Sequence, residues 1–173
     1  MDPITFIKSY VPKGAIIFIN YRFSLTVHFN PSEDKHAAIY IGNLQSNCIR
    51  DGSTCALEPI DDDCYAIEAS YKNGVRMINI KELLKDAKSI KILVLHDIIS
   101  DIKMAIAADI AITFIGTPYG FGKHHLYCFK LVADCYSHIG IIIPTFNILG
   151  KRIYLSQSFD NDQWKKIYNN YDI

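Results

Sequence analysis

Polar and apolar positions divide the chain into short β-like runs followed by two helical stretches. Ala15-Ile-Ile-Phe-Ile19 follows the turn Pro12-Lys-Gly14 and is apolar throughout, which predicts a strand too apolar to be half exposed. The polar loop Asn30-Pro-Ser-Glu-Asp34 has Asx and proline turn chemistry. It leads into His36-Ala-Ala-Ile-Tyr-Ile-Gly42, a second strand with a histidine at its start. Tyr65-Ala-Ile-Glu-Ala69 reads as a third. The strong turn Lys72-Asn-Gly74 then leads to Val75-Arg-Met-Ile-Asn-Ile80, whose partial alternation predicts the return strand. Between strands two and three, Asn43 to Asp63 is polar and acidic and reads as a loop or exposed hairpin.

Helical spacing takes over further along. Lys81 to Ala87 predicts one short helix and Ile90 to His96 another strand. Asp97 to Gly116 has helical period, with Ile98, Ile102, Ala105, Ile106, Asp109, Ile110 and Thr113 on a broad apolar face. A Gly- and aromatic-rich loop, Thr117 to His125, feeds a second helix within Leu126–Gly140. There Leu131, Val132, Cys135 and Ile139 recur three or four apart, and Gly140 supplies a C-terminal stop. The tail from Pro144 is mixed, with an amphipathic turn around Trp164 to Tyr168. Strands first and helices afterwards predict an α+β fold rather than βαβ winding, in a single domain spanning residues 1–173.

Composition narrows the class. Half of the 173 residues are hydrophobic, and 18 basic side chains balance 18 acidic ones. No basic stripe interleaved with aromatics appears, so nucleic-acid binding has no support. No run reaches the ~18 apolar residues of a membrane span, because Asp101, Lys103 and Asp109 interrupt Ile98–Ile115. The N-terminus lacks a signal-peptide pattern. With five cysteines and no C-x-x-C unit, reduced thiols in a cytoplasmic protein are expected. Cys48, Cys55 and Cys64 match no zinc spacing and no histidine accompanies them, so no metal and no cofactor are expected.

The chemistry concentrates at Cys128. At the first turn of its helix, unpaired N–H groups and the dipole favour a thiolate, which makes this cysteine a candidate nucleophile. A cysteine nucleophile needs a base, and the base needs an orienting group. His36 begins an apolar strand, and Glu68 lies in an apolar neighbour, where a carboxylate is costly unless paired. The expected triad is Cys128, His36 and Glu68. Tyr119 and Phe121 are candidate pocket walls, although core packing would give the same pattern. His124 and His125 read as a solvent-facing pair, with an alternative role as base. Cys135, in the helix interior, reads as a core thiol.

Four phrases occur in order: Lys35-His-Ala-Ala-Ile-Tyr40; Ala66-Ile-Glu-Ala with Asn73-Gly-Val75; Thr117-Pro-Tyr-Gly-Phe121; and Tyr127-Cys-Phe-Lys-Leu-Val132. Together they resemble the circularly permuted NlpC-type papain-like thiol hydrolases of the YiiX-like subgroup, nearest to its poxvirus members. The resemblance spans nearly the whole chain. It implies a small antiparallel sheet or half-barrel packed against helices. It also implies His36 as general base, Glu68 as orienting residue and Cys128 as nucleophile. Tyr127, with the Cys128 N–H, would help stabilise an oxyanion. Three departures touch substrate preference: Gly14-Ala15 replaces Gly-Asp, Cys128-Phe-Lys-Leu-Val replaces Cys-Ser-Glu-Leu-Val, and the Asn43–Asp63 excursion is longer.

The expected activity is therefore acyl transfer through an acyl-enzyme, by an amidase or peptidase, or by an acyltransferase or esterase. The substrate would be a small molecule, lipid or acylated peptide, reached in a host cytosol if the protein is viral, with virion packaging left open. The alternative is a catalytically silent binding or host-modulating protein using the same cleft. The sequence assigns no oligomeric state.

Overall fold

A computed structural model describes residues 1–22, 31–43 and 63–170. Most of the Asn43–Asp63 excursion, with Cys48 and Cys55, lies outside the described residues, as does His28. Helix α1 (Pro3–Tyr10) precedes strands β1 (Ile16–Tyr21), β2 (His36–Asn43), β3 (Cys64–Ser70) and β4 (Gly74–Asn79). The single turn α2 (Ile80–Leu83), strand β5 (Ala87–Leu95) and helices α3 (Ser100–Thr113) and α4 (Cys128–Ser137) follow. A small hairpin, β6 (Phe146–Ile148) and β7 (Lys151–Ile153), a 3₁₀ turn (Ser156–Phe159) and strand β8 (Trp164–Asn169) complete the order.

Six strands form one antiparallel sheet in the order β4-β3-β2-β1-β5-β8. Strand β1 lies inside it and is covered on both faces, which is why it is apolar at consecutive positions rather than alternating. Ile16, Phe18, Ile39, Ile67 and Leu93 face α3 and α4, with Leu131, Val132 and Cys135 opposite them. Ile17, Ile19, Ala38 and Ile92 face the other layer, where Ile7 of α1 and Ile80 and Leu83 of α2 pack. An antiparallel sheet packed against helices is the expected α+β architecture.

Several details depart from the sequence expectation. The α1 helix is not signalled by a long apolar period. Its mark is local: Asp2 caps it by accepting from the Thr5 N–H at 3.0 Å, with Pro3 in the first turn. Trp164 to Tyr168 is strand β8 paired with β5, not an amphipathic turn, because Trp164 is buried while Lys165 and Lys166 stay outside. The Lys81–Ala87 helix shrinks to one turn, and Ala87 already belongs to β5.

Helix α3 has the expected period but buries a different face. Met104, Ala107, Ala108 and Ala111 point inward, while Ile98, Ile102 and Ile106 are exposed. Small residues win because the helix backbone lies against the chain entering β1. Gly14 sits at φ +92°, and a Cβ there would come within 2.0 Å of the Met104 carbonyl oxygen. Tyr136 of α4 donates to the Gly14 carbonyl at 2.6 Å and closes the same junction. At the other end of α4, Gly140 has φ +83°, its N–H bonds the Ser137 carbonyl, and the Ile141 N–H bonds that of Tyr136. That is a Schellman ending, as Gly140 predicted.

Candidate active site

Register brings the polar groups together. Glu68 of β3 lies opposite Ala38 of β2, so His36, two residues earlier in β2, is its diagonal neighbour on the same face. The tight β3–β4 hairpin sets Glu68 directly opposite Arg76. His36 Nε2 and Glu68 Oε2 are 2.7 Å apart, and Arg76 Nε donates to Glu68 Oε1 at 2.9 Å. Glu68 is 3% exposed, so its two oxygens are served in a setting where an unpaired carboxylate would be costly.

Cys128 is the first residue of α4, and no side chain caps that end. The first-turn N–H groups and the positive end of the dipole therefore surround the thiol. Cys128 lines the same cleft as His36 and lies near enough to act on its charge. With Nε2 committed to Glu68, Nδ1 is the nitrogen left for the sulfur. The imidazole meets the buried carboxylate, and all three expected residues line one cleft of about 310 Å³.

Electrostatics favour a charged bridge. Burial opposes the His36 imidazolium, but the neighbouring Cys128 and the hydrogen bond to Glu68, together with their charges, outweigh it and push the pKa up to about 9. Burial likewise works against the Glu68 carboxylate. Its hydrogen bond and charge attraction to His36, and those to Arg76, nevertheless hold it below the usual range. Nε2 is then an N–H donor to the carboxylate and Nδ1 a proton carrier facing the sulfur.

The proposed pocket residues divide. Tyr119 lines the cleft. Phe121 does not: it is 66% exposed and stacks on Tyr127 with ring centroids 4.6 Å apart. Tyr127 is buried outside the cleft lining, where its hydroxyl accepts the Tyr154 N–H at 2.6 Å. That bond fixes the phenol as a brace for the backbone near β7, so the expected oxyanion contribution falls back on the Cys128 N–H. His124 and His125 are exposed and absent from the lining. Cys135 is in the core, and burial, with the nearby Asp134 charge, pushes its pKa up to about 12.

Two cleft-lining residues, Tyr21 and Tyr71, and Arg76 beside Glu68 carry no obvious motif. Tyr21 sets its ring 5.9 Å from that of His36 and donates its hydroxyl to the Leu83 carbonyl at 3.1 Å. Tyr71 lines the mouth, with its ring 6.0 Å from Tyr119. Arg76 was recoverable in principle, since the Lys72-Asn-Gly74 turn fixes the hairpin register that pairs it with Glu68. No such local signal marks Tyr21, whose approach depends on the sheet.

A cysteine-headed helix packed on an antiparallel sheet, five of whose six strands precede it in the chain, is the arrangement of a circularly permuted papain-like protein. The chain belongs to the permuted papain-like amidase family, YaeF/YiiX, C92, which matches residues 10–168. It is 44% identical over 170 residues to Protein OPG091 of vaccinia virus (strain Copenhagen), covering 98% of this chain and 92% of that one. The monkeypox virus Protein OPG091 is similar to the same extent. A crystal structure of the metalloprotein yiiX from Escherichia coli O157:H7 shares the fold, with a TM-score of 0.70 and 16% identity, over 93% of this chain and 98% of that one. Among the described residues here, no group of three or more His, Cys, Asp or Glu side chains is arranged to hold a metal ion.

Proposed function

We propose that the protein is a cysteine-dependent acyl-transfer enzyme in which Cys128 is the nucleophile, His36 the proton shuttle and Glu68 the orienting carboxylate. The observation that supports this reading is one cleft lined by a helix-terminal thiol, an imidazole and the buried carboxylate that the imidazole meets at 2.7 Å. Membership of an amidase family supports the reaction class. The Cys128 thiolate attacks the acyl carbonyl carbon, forming the C–S bond and moving the carbonyl π pair onto oxygen. The Cys128 N–H, at the positive end of α4, faces the developing oxyanion. Collapse breaks the bond to the leaving nitrogen or oxygen, which takes the proton from His36 Nδ1.

The acyl-enzyme is resolved in reverse. His36, now neutral, removes a proton from water or an acceptor hydroxyl or amine as that group attacks the thioester. The second tetrahedral intermediate expels the Cys128 thiolate and restores the ion pair. Glu68 holds the ring through Nε2 in both halves, and Arg76 keeps the carboxylate aligned. The substrate is an acyl compound of lipid, acylated peptide or protein type, admitted past Tyr71 and Tyr119.

An acyl-thioester probe or iodoacetamide tests the reading, with the modified residue found by mass spectrometry. Cys128 is expected to label faster than Cys135 and Cys64, and labelling is expected to collapse in Cys128→Ala and in His36→Ala. Equal labelling of all thiols, with no effect of His36→Ala, would refute it.

A further inference from the structure

Two chain segments meet at the mouth of the cleft. The β3–β4 turn is tied to the loop before α4 by hydrogen bonds from the Val75 N–H to the Thr117 carbonyl and from the Gly116 N–H to the Val75 carbonyl, each 2.9 Å. Tyr71 against Tyr119, and Phe121 against Tyr127, extend the contact along one rim. Two large aromatic side chains stay largely exposed here although each has one ring neighbour: Tyr71 is 89% exposed and Phe121 is 66% exposed. Exposed Lys72 and Lys123 flank them. Neither lysine has a carboxylate within ion-pair distance among the described residues.

The charge of this rim is one-sided although the whole chain is neutral. About one residue in ten is acidic, yet residues 69–81 and 110–133 contain no Asp or Glu at all. Glu68 sits behind the rim, buried and paired with His36 and Arg76, and Glu82 is held by Arg76 at 3.5 Å. Exposed aromatics beside unneutralised lysines form the combination that lies in the headgroup layer of an anionic bilayer. The rings enter the boundary, and the ammonium groups meet the lipid phosphates and carboxylates. A soluble acidic partner would explain the lysines but not the outward aromatic rings.

The geometry points to the Tyr71–Lys72 turn and the Phe121–Lys123 loop as a docking surface for an anionic lipid bilayer, holding the cleft mouth at the membrane so that its acyl substrate is lipid-borne. This rests on the acyl-transfer reading for what the cleft does there, but the docking itself is measured separately. No helix among the described residues is long and apolar enough to cross a membrane, so the contact is peripheral.

The test is flotation of the full chain with phosphatidylcholine vesicles, with and without phosphatidylserine. Binding is expected only to the phosphatidylserine vesicles, and it should weaken at high salt. The double variant Lys72→Ser/Lys123→Ser should lose roughly 20- to 30-fold in affinity, from about fivefold for each lysine. Phe121→Ser should weaken vesicle binding while leaving binding to heparin, a soluble polyanion, unchanged. In Phe121→Trp, vesicles should shift the emission to the blue, against the constant background of buried Trp164. These side chains are exposed, and unchanged thermal unfolding verifies that the variants fold.

Absent binding, equal binding with and without phosphatidylserine, or equal loss of vesicle and heparin binding in Phe121→Ser would overturn the docking. Cys128→Ala should dock like the wild type. Docking without acylation of Cys128 would refute the enzymatic reading alone, and acylation without docking would refute the surface alone.

Discussion

Replacing Glu68 by Gln preserves the shape of the β3 side chain while removing the charge that supports His36. In the native cleft the His36 pKa is pushed from 6.5 to about 9 against the opposing effect of burial. A rise of that size corresponds to about 3 kcal/mol of preference for the imidazolium, drawn from Cys128 and Glu68 together. A neutral amide removes the Glu68 share and leaves burial in place, so the folded pKa falls. The imidazolium that protonates the leaving group exists only below that pKa. Amide turnover by the wild type should therefore decline as pH rises through about 9, and the variant should lose activity at a lower pH. Gln can also present its NH₂ to Nε2 and favour the wrong tautomer, which costs roughly 10²–10⁴-fold in the acylation rate. Pre-steady-state acylation of Cys128 across pH reads both effects. An alkaline limb that stays near 9, with a rate within a few-fold of wild type, would refute the assignment of Glu68 as the group that supports the base.

Three further outcomes follow from the same structure. Gly14→Ala forces a Cβ into the Met104 carbonyl at positive φ, so a loss of about 3 kcal/mol or more is expected, seen as a fall in Tm of roughly 6–12 °C. An unchanged Tm would mean that α3 does not approach β1 so closely. Cys135→Ala should leave the rate of Cys128 acylation within about twofold, because burial pushes the Cys135 thiol up to about 12 and away from the chemistry; its cost should appear in thermal unfolding instead. His36 has a raised folded pKa, so its stabilisation is complete below 6.5 and is lost as pH rises to about 9. Glu68 has a lowered folded pKa, so its contribution is present above 4.5 and is lost as pH falls. In denaturant titrations the gap between wild type and His36→Ala should be widest between those limits and narrow as pH rises past about 9.

What was legible in the sequence depended on how local the determining forces are. The apolar run Ile16–Ile19, the Lys72-Asn-Gly74 turn and the Gly140 stop act within a few residues, and each appears as read. The juxtaposition of Cys128, His36 and Glu68 was legible because a thiol at a helix head and a carboxylate in an apolar strand each demand a partner. The inward face of α3 was not: Ile102 and Ile106 are the more hydrophobic choice, but only alanines allow the close approach that Gly14 permits. Tyr127 misled for a related reason. Sequence adjacency to Cys128 says nothing about where a phenol points once the chain turns into a helix, and this one reaches Tyr154.

The placement of His36 depends on contacts far from the cleft. Just ahead of β2, Ser32 and Asp34 are buried although the loop is polar by composition. Asp34 meets Lys91 of β5 at 2.6 Å, and its N–H bonds Ser156 Oγ at 3.0 Å, while the Ser156 N–H bonds Ser32 Oγ at 2.8 Å. Asn20 of β1 accepts from the Lys35 N–H at 3.0 Å and donates to Ser89 at 3.0 Å. These bonds pin the residues directly before the histidine to β1, β5 and the 3₁₀ turn near the C-terminus. A buried polar network of this kind specifies one position for the chain, because a shift would leave several donors and acceptors unsatisfied at once. The proposed base, His36, is thus held from behind by residues outside the cleft lining, and Glu68 and Arg76 hold it from the side. With the imidazole fixed in two directions, the only freedom the reaction requires is movement of the proton between Nδ1, Cys128 and the leaving group.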